Sequence, residues 1–538
     1  MEHGWAFSLL FPKGAKAEDQ VIISRKACKT LMGNYLYHRE MDLCDYLTTD
    51  GETILYRREL FCDLLEHSEA EALLRELLPL LKNMEELYRL RENSHHTEGQ
   101  LYAIKLIELY LQFISTAGDG LRKHCEAIRS RALLELRERI REVEESAWYK
   151  ALRENTKALS HEITRVKCVT VGMNLDETFS PVSFGVLGFH SRAMEPGGLM
   201  ERLLGHPTSD GLTALCPLKN TAGHLSKEEK HFADMAVSST LNRLFKSAIR
   251  EWEPAVKSFF RRETREFLPL IGELKFLLFG VDLLTELRSK GLPLCSPSIA
   301  PMEKKAFSVK GLYHPALGVP AKHLVSNDLT FDEEGRLYLL TGANSGGKTV
   351  FLSAVGICQV FAQLGFPVPA KEAEISPADR ILVHFAGKAS SIDLGRLEEE
   401  CFAVKALFRD VTEYSLVLMD EPFSSTSAFE GAHIAFDVMA SLSAYGCRGV
   451  FSTHLHELVT MKKEINRLPR SRSAVDTLVA GTDCEGKRTY KIYRKTPDGK
   501  SYAKGIATRY GLDYEELLRL QEEKQGGTKH GGNDGADH

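Results

Sequence analysis

The 538-residue sequence has no paired cysteines, no signal-peptide pattern and no long uninterrupted apolar stretch. The eleven cysteines are scattered singly and contain no C-x-x-C pair, which argues against a disulfide framework and indicates reduced thiols in a cytosol. The N-terminus has neither a basic start nor a small-residue cleavage site, so secretion is not expected. The most apolar long stretch, 267–284, is interrupted by Glu273, Lys275 and Asp282, and we interpret it as a buried helix rather than a membrane span.

An excess of charge of one sign is missing as well. The 69 basic and 74 acidic residues leave a net charge of -5. This balance argues neither for nor against nucleic acid, so any DNA contact would have to come from a local patch. With 43% hydrophobic residues the chain can bury a large core, and its length corresponds to roughly three or four domains.

The most informative motif present is GANSGGKT at 342–349, which fits the phosphate-loop pattern G-x-x-x-x-G-K-[ST]. An apolar strand is predicted at 336–340 and an apolar helix continues from 350. In such a loop, backbone N–H groups and the helix dipole face the phosphates, the lysine reaches the β- and γ-phosphates, and the threonine hydroxyl binds Mg²⁺. The motif predicts a nucleotide site formed by Gly342, Ala343, Asn344, Ser345, Gly346, Gly347, Lys348 and Thr349.

A second apolar strand, predicted at 416–419, ends in the acidic pair Asp420 and Glu421. Asp420 would hold Mg²⁺ directly or through water, whereas Glu421 would orient or deprotonate the water that attacks the γ-phosphate. An acidic pair after a strand can also be the solvated start of a loop. Because an intact phosphate loop precedes it, we favour the catalytic interpretation.

A third strand, predicted at 448–452, is followed by Thr453 and His454. A histidine at this position could contact the γ-phosphate, could be an ordinary loop histidine, or could be half of a metal site. His454, His456 and Glu457 are too closely spaced for the i, i+4 zinc geometry on one helix face. We therefore predict that His454 senses the γ-phosphate.

Five segments occur in the order and spacing of the ATPase domain of the MutS family: GLYHPAL at 311–317, SNDL at 326–329, TGANSGGKT at 341–349, DEPFSSTS at 420–427 and STHLHEL at 452–458. The sequence therefore resembles the MutS family of DNA mismatch repair ATPases. The stretch at 54–81 is similar to the helical core of these proteins, and KSYAKGIATRYGL at 500–512 is similar to their closing segment. The resemblance covers the chain from about residue 20 to about residue 520.

The resemblance implies an α+β multidomain fold, in which a mostly helical core and lever region with a small β-containing insert precedes a C-terminal α/β P-loop ATPase domain. Periodicity agrees, with helical patterns over 20–150 and 227–290 and strand patterns at 166–172 and 181–189. The predicted domains are an N-terminal extension 1–20, core and first lever arm 21–164, clamp-like insert 165–225, returning lever and core helices 226–300, ATPase domain 301–520 and disordered tail 521–538.

The resemblance also implies a function. Such a protein would bind ATP and Mg²⁺ and couple ATP binding and hydrolysis to clamping on distorted, mismatched or branched DNA. It would act as a homodimer with composite ATP sites, together with a repair-pathway protein partner, without membrane association. We expect a cytoplasmic location, nucleoid-associated if the source is bacterial.

Three departures from the family pattern accompany these matches. The sequence begins close to the helical core, so we do not expect it to contain the mismatch-reading domain of full-length members. The segment that would complete the partner's nucleotide site keeps Gly395 and Arg396 but lacks the family's serine. The family's aromatic adenine contact is replaced by Leu324 and Val325, which could still contact the base but with little selectivity.

Two other classes of function remain open. A nucleotide-gated module that acts on a protein or ribonucleoprotein partner is favoured by the near-neutral charge and the missing reader domain. A transporter-type ATPase subunit would share the nucleotide chemistry. It is disfavoured because the helical region resembles MutS proteins.

Overall fold

The computed structural model describes residues 7–15, 23, 27–31, 43–93, 99–123, 128–157, 159, 167–178, 181–192, 195–196, 213–214, 246–262, 264–317, 323–342, 346–385, 395–483, 487–497, 511–512 and 514–526. The chain divides into two compact units. The first contains Met1–Leu9 and Glu66–Leu278, and the second contains Leu10–Leu65 and Phe279–His538. In the described part of the chain, no helix is both long and apolar enough to cross a membrane.

The first unit is helical, with a β-hairpin. Its helices are α2 (Ser68–Glu92), α3 (Gly99–Lys123), α4 (Arg131–Glu145), α5 (Ala147–Lys157), α6 (Lys246–Phe260) and the first part of α7 (Leu270–Ser289). Apolar residues at three- and four-residue steps fill its core, as at Ile107, Tyr110 and Ile114 of α3. The ring of Phe259 packs edge-on against Tyr110 at 5.3 Å between ring centroids.

Strands follow the helices α4 and α5, as the sequence predicted. The strand β1 (Cys168–Leu175) pairs antiparallel with β2 (Pro181–His190), and the short strands β3 (Glu195–Pro196) and β4 (Thr213–Ala214) pair in parallel. The helical pattern predicted over 227–290 corresponds to α6 and α7, which are separated by residues 261–269. Its first part, 227–245, lies outside the described residues.

The second unit is built on two sheets. Its strands are β5 (Ser298–Ile299), β6 (Phe307–Leu312), β7 (Asn327–Phe331), β8 (Leu337–Thr341), β9 (Glu372–Ile375), β10 (Ile381–Phe385), β11 (Leu416–Asp420), β12 (Arg448–Ser452), β13 (Val475–Thr482) and β14 (Arg488–Arg494). Among the described residues, one sheet has six strands in the order β10-β11-β12-β8-β13-β14 and the other has four in the order β5-β9-β6-β7. All pairs of the six-stranded sheet are parallel except β13–β14.

Helices accompany these sheets: α1 (Gly51–Glu66), the end of α7, α8 (Lys348–Leu364), α9 (Arg396–Leu407), α10 (Ala428–Tyr445), α11 (His456–Thr460), α12 (Lys462–Arg467) and α13 (Tyr514–Gly526). The residues of β8, β11 and β12 are all buried, which explains why they read as continuous apolar runs. The three strands predicted at 336–340, 416–419 and 448–452 are therefore confirmed.

The tail differs from the sequence prediction over its first residues. Disorder was predicted from residue 521, but α13 continues to Gly526. Glutamate, leucine, glutamine and lysine dominate this helix and favour helical backbone, with Glu515 and Glu516 placed well against the helix dipole in the first turn. The prediction for 527–538 lies outside the described residues.

The close approach of β11 and β12 at Gly449 predicts that a side chain at this position lowers stability. A Cβ atom at Gly449 would lie 2.4 Å from the carbonyl oxygen of Val417. We expect Gly449→Ala to lower the free energy of unfolding by about 1–3 kcal/mol, because the parallel pairing would have to open. Urea denaturation measures this. Gly51→Ala is the matched control, since its Cβ would meet the side chain of Ile299 at an ordinary 3.8 Å, and an equal loss in both variants would contradict the prediction.

Candidate nucleotide-binding site

The carboxyl ends of three neighbouring strands meet at one edge of the six-stranded sheet. The strands β8, β12 and β11 run parallel, and Ser452 at the end of β12 lies opposite both Leu340 and Asp420. Segments that follow adjacent parallel strands lie side by side, and ligands of such sheets bind at this edge. The edge therefore collects the phosphate loop, the acidic pair and the segment containing His454.

Two glycines at the ends of the phosphate loop have backbone conformations that other residues rarely adopt. Gly342 has a φ of 132°, and a Cβ there would lie 2.8 Å from the Cβ of Ala480. Gly347 has a φ of 91° and immediately precedes Lys348, the first residue of α8. The described part of the loop thus leads from a buried strand to a helix N-terminus, a geometry that binds anions. Gly346 is buried, whereas three predicted residues lie outside the described chain: Ala343, Asn344 and Ser345.

The side chain of Lys348 is buried at this edge. Its Nζ donates a hydrogen bond to the carbonyl oxygen of Gly342 at 3.2 Å and lies 3.1 Å from Oε1 of Glu421. A buried ammonium requires such partners because burial removes its hydration. The contacts hold the positive charge between the predicted phosphate loop and the predicted catalytic acid.

Asp420 is buried beside two hydroxyl groups. Thr349 donates from Oγ1 to Oδ2 of Asp420 at 2.6 Å, and Ser452 donates from Oγ to its Oδ1. A carboxylate and a hydroxyl are hard oxygen ligands of the kind that Mg²⁺ prefers. The two residues predicted to bind the metal, Thr349 and Asp420, are thus adjacent and fit the ion. The sequence reasoning gave no role to Ser452, whose hydroxyl fixes the carboxylate.

The backbone at the end of β11 is strained. Glu421 has a φ of 48° and Phe423 has a φ of 62°, both in the left-handed region. The N–H of Glu421 donates to the carbonyl oxygen of Ser452 at 3.1 Å, and the N–H of Phe423 donates to Oε2 of Glu400 at 2.8 Å. Strain of this kind persists only where surrounding contacts hold it and is concentrated at functional sites. Here it turns Glu421 toward Lys348.

His454 follows β12 at the same edge and is exposed. The N–H of the preceding residue, Thr453, donates a hydrogen bond to the carbonyl oxygen of Leu340 at 2.9 Å. The N–H of the following residue, Leu455, donates to Oγ1 of Thr453 at 3.0 Å. These bonds fix the turn next to β8. His454 is not among the described residues that line the pocket beside the loop, and its role as a phosphate sensor stays a prediction.

A cavity of about 730 Å³ opens beside the phosphate loop. It brings together six predicted residues: Leu324, Val325, Gly347, Lys348, Thr349 and Glu421. The predicted base contacts and the predicted phosphate contacts therefore share one pocket. Its other described lining residues were not predicted from the sequence: Leu312, Tyr313, His314, Leu317, His323, Asn327, Val350, Phe351, Ala354 and Tyr490.

One of these unpredicted residues, His314, belongs to the segment GLYHPAL at 311–317, which matches the family pattern. That match placed His314 in the ATPase domain but did not indicate a role for it. Its Nδ1 accepts a hydrogen bond from the N–H of Ala316 at 3.2 Å. Burial lowers the pKa of the His314 imidazole below its usual range. Because Nδ1 accepts this hydrogen bond, the neutral ring carries its proton on Nε2.

Two family models match the chain. The model described as MutS domain V matches residues 338–516, which include the phosphate loop, the acidic pair and His454. The model described as MutS2 N-terminal domain matches residues 49–290. The chain belongs to the MutS family. The family resemblance drawn from the motifs is thereby confirmed.

Curated MutS proteins are similar to parts of the chain. The DNA mismatch repair protein MutS of Sorangium cellulosum is 39% identical over 166 residues, which are 29% of the chain and 18% of that protein. The DNA mismatch repair protein MutS of Prochlorococcus marinus is 28% identical over 296 residues, which are 52% of the chain and 31% of that protein. The chain thus spans less than a third of the length of either MutS relative.

The segment predicted to act on a second MutS subunit lies at the start of α9. Gly395 is exposed and precedes the helix, and Arg396 is half-exposed with its Nε 3.5 Å from Oε1 of Glu400. Neither residue is among the described lining of the pocket. Their contact with a nucleotide bound to a second subunit stays a prediction.

Proposed function

We propose that the chain binds ATP at this pocket, hydrolyses it, and uses the cycle to change its hold on distorted, mismatched or branched DNA. The observation that carries the nucleotide part is the convergence of Lys348, Thr349, Asp420 and Glu421 at one strand edge. Nζ of Lys348 is 3.1 Å from Glu421, and Oγ1 of Thr349 is 2.6 Å from Asp420. A buried cation, a metal-binding pair and a strained carboxylate beside one cavity suit phosphoryl transfer to water.

The roles follow from the chemistry of each group. Lys348 would neutralise charge on the β- and γ-phosphates, and Thr349 and Asp420 would hold Mg²⁺, which when bound screens the phosphate oxygens. Glu421 would take up the proton of the attacking water, whose oxygen bonds to the γ-phosphorus as the bond to the β,γ-bridging oxygen breaks. The products are ADP and phosphate. His454 would contact the γ-phosphate and change position when it leaves.

The DNA and dimer parts of the proposal rest on family membership. The curated relatives are named as DNA mismatch repair proteins, and Gly395 and Arg396 begin a helix at an exposed surface. In a homodimer they would complete the partner's nucleotide site, so that ATP draws two ATPase domains together. For a nearly complete shift from an open to a closed state, ATP would have to favour the closed state by roughly 5 kcal/mol.

Binding to defined DNA substrates tests the coupling. We expect ATP with Mg²⁺ to change the affinity for a four-way junction or a single-mismatch duplex by roughly 5- to 150-fold, as coupling between two binding sites usually does. A homoduplex DNA of equal length is the control ligand. Fluorescence anisotropy at two salt concentrations, with and without ATP, measures the effect.

The salt dependence separates this proposal from the alternative of a protein or ribonucleoprotein partner. Phosphate contacts release counterions, so that the logarithm of the DNA affinity should fall steeply and linearly with the logarithm of salt concentration. DNA binding that is absent, or that does not respond to ATP in any of the three substrates, would contradict the coupling and favour the nucleotide-gated module.

A further inference from the structure

The turn that carries the predicted catalytic base consists of Glu421, Pro422 and Phe423. Two of its three residues have a left-handed backbone, with a φ of 48° at Glu421 and 62° at Phe423. This conformation is an outlier for a bulky residue and persists only where neighbouring contacts impose it. Proline has no N–H group, so the turn has two backbone donors, and the partners of these two donors determine how it is held.

The two donors are bound by different elements. The N–H of Glu421 donates to Ser452 of β12, at 3.1 Å to the carbonyl oxygen and 3.3 Å to Oγ. The N–H of Phe423 donates to Oε2 of Glu400 in α9 at 2.8 Å, and Oγ of Ser425 donates to the same oxygen at 3.3 Å. The turn is therefore fixed to the sheet at its first residue and to one side chain of α9 at its last.

Glu400 is a buried carboxylate, which is costly unless its oxygens accept hydrogen bonds. Its Oε1 lies 3.5 Å from Nε of Arg396, but the side chain of Arg396 is 51% exposed. Ion pairs with an exposed partner contribute little, whereas a backbone N–H bound to a buried carboxylate forms a short and strong hydrogen bond. Glu400 therefore acts on its surroundings mainly through the N–H of Phe423.

The other groups of Phe423 are held by packing. Its side chain is buried in an apolar cluster with Val404 of α9 and Met419 of β11. A Cβ built at Gly431 of α10 would lie 2.9 Å from its carbonyl oxygen, so the backbone of α10 passes close to the turn. Glu400 then decides the orientation of the peptide plane between Pro422 and Phe423, and rotation of that plane would shift the backbone from which the Glu421 side chain extends.

We propose that Glu400 is a positioning residue for ATP hydrolysis. By accepting the N–H of Phe423, it keeps the turn in its left-handed form and holds the Glu421 carboxylate 3.1 Å from Nζ of Lys348, where it meets the attacking water. Glu400 is not among the described residues that line the pocket, so it acts on the rate of hydrolysis and not on ATP binding. This inference rests on the proposed function and adds a residue that works through Glu421.

The variant Glu400→Ala removes the acceptor and tests the proposal. We expect kcat for ATP hydrolysis to fall by roughly 10- to 100-fold, since a small displacement of a catalytic group can cost about 100-fold. The affinity for ATP with Mg²⁺, measured by calorimetry, should not weaken, because Lys348 and Thr349 keep their positions. A purely structural role for Glu400 would instead lower binding and turnover together.

Two further variants separate the reach of the side chain from its charge. Glu400→Gln keeps the length and an acceptor oxygen, so kcat should fall by roughly 5-fold or less, because a neutral acceptor forms a weaker bond in the same place. Glu400→Asp keeps the charge but is one methylene shorter, and kcat should fall as in Glu400→Ala. The matched control is Glu398→Ala, which removes an exposed glutamate from the first turn of the same helix and should hydrolyse ATP at the wild-type rate.

A double-mutant cycle shows whether Glu400 works through Glu421. Once Glu421→Gln has removed the base, its position no longer matters. Adding Glu400→Ala to Glu421→Gln should therefore cause no further loss of kcat, whereas two independent residues would give losses that multiply.

Several results would overturn the inference. Unchanged kcat in Glu400→Ala would do so, as would a loss of ATP affinity as large as the loss of turnover, or a further loss in the double variant. An active Glu400→Asp beside an inactive Glu400→Gln would assign the effect to the charge facing Arg396. Normal turnover in Glu421→Gln would overturn the proposed base and this inference together, whereas slow turnover in Glu421→Gln beside normal turnover in Glu400→Ala would overturn this inference alone.

Discussion

Replacing Lys348 by alanine is expected to weaken ATP binding by about 100-fold or more, because charge-assisted contacts to phosphate oxygens from a buried site are among the stronger polar interactions. Nζ of Lys348 lies between the carbonyl oxygen of Gly342 and the carboxylate of Glu421. Lys348 is the lysine among the described residues that line the pocket, and we predict that it contacts the β- and γ-phosphates. Calorimetry with ATP and Mg²⁺ measures the loss directly.

The same variant separates loss of binding from loss of folding. Alanine removes the cost of burying an ammonium, and the remaining carboxylate of Glu421 is 32% exposed and can stay hydrated. We therefore expect the Tm of the nucleotide-free variant to stay close to that of the wild type, while the rise in Tm on adding ATP disappears. Lys463→Ala, which alters an exposed lysine of α12, should keep both the binding and the rise. Undiminished ATP affinity in Lys348→Ala would reject the site.

The parts of the site that could be predicted are those set by local sequence and by one rule of sheet topology. An apolar run that ends in a glycine-rich loop or in two carboxylates identifies a strand and the edge at which its functional residues emerge. Parallel pairing of β8, β12 and β11 then brings Lys348, Thr349, Asp420 and Glu421 together without further information. For that reason the end of the pocket that contains these four residues could be predicted from the sequence.

The other end of the pocket did not, because its geometry depends on contacts between distant segments. The left-handed backbone at Tyr490 is imposed by Asn327, which is 163 positions away in the chain. The strand β14 contains no glycine or asparagine to signal a positive φ at Tyr490. Likewise, Ser452 reads as the end of a strand, and only the pairing of β11 with β12 places its hydroxyl on Asp420.

Helix ends were predicted less well than strand ends. Glutamine- and glutamate-rich residues after 520 were interpreted by their polarity as a disordered tail, yet they carry α13 to Gly526 because their intrinsic helix propensity is high. The helical pattern over 227–290 is interrupted after Phe260, where Arg265 forms an ion pair with Glu92 of α2. Periodicity alone did not locate this break, since apolar residues resume with the same spacing in α7.

The second large effect is expected from Glu421→Gln, which keeps the size of the side chain but removes its negative charge. Hydrolysis should fall by roughly 100- to 10,000-fold, the usual contribution of a positioned general base. ATP should remain bound at least as tightly as in the wild type. The charge that faces the γ-phosphate is gone, and Lys348 no longer shares its positive charge with a carboxylate 3.1 Å away. Phosphate release and filter binding of ATP measure the two quantities separately.

This separation of binding from turnover also makes the variant a probe of the composite site. If ATP brings two subunits together through Gly395 and Arg396, the variant should accumulate as a dimer in light scattering when ATP is added, because hydrolysis can no longer reset it. Glu457→Gln is the matched control, since Glu457 is exposed on α11 at the neighbouring strand end and should leave turnover unchanged. Normal turnover in Glu421→Gln would exclude Glu421 as the base, and a monomer at every ATP concentration would exclude the dimer model while leaving the nucleotide site in place.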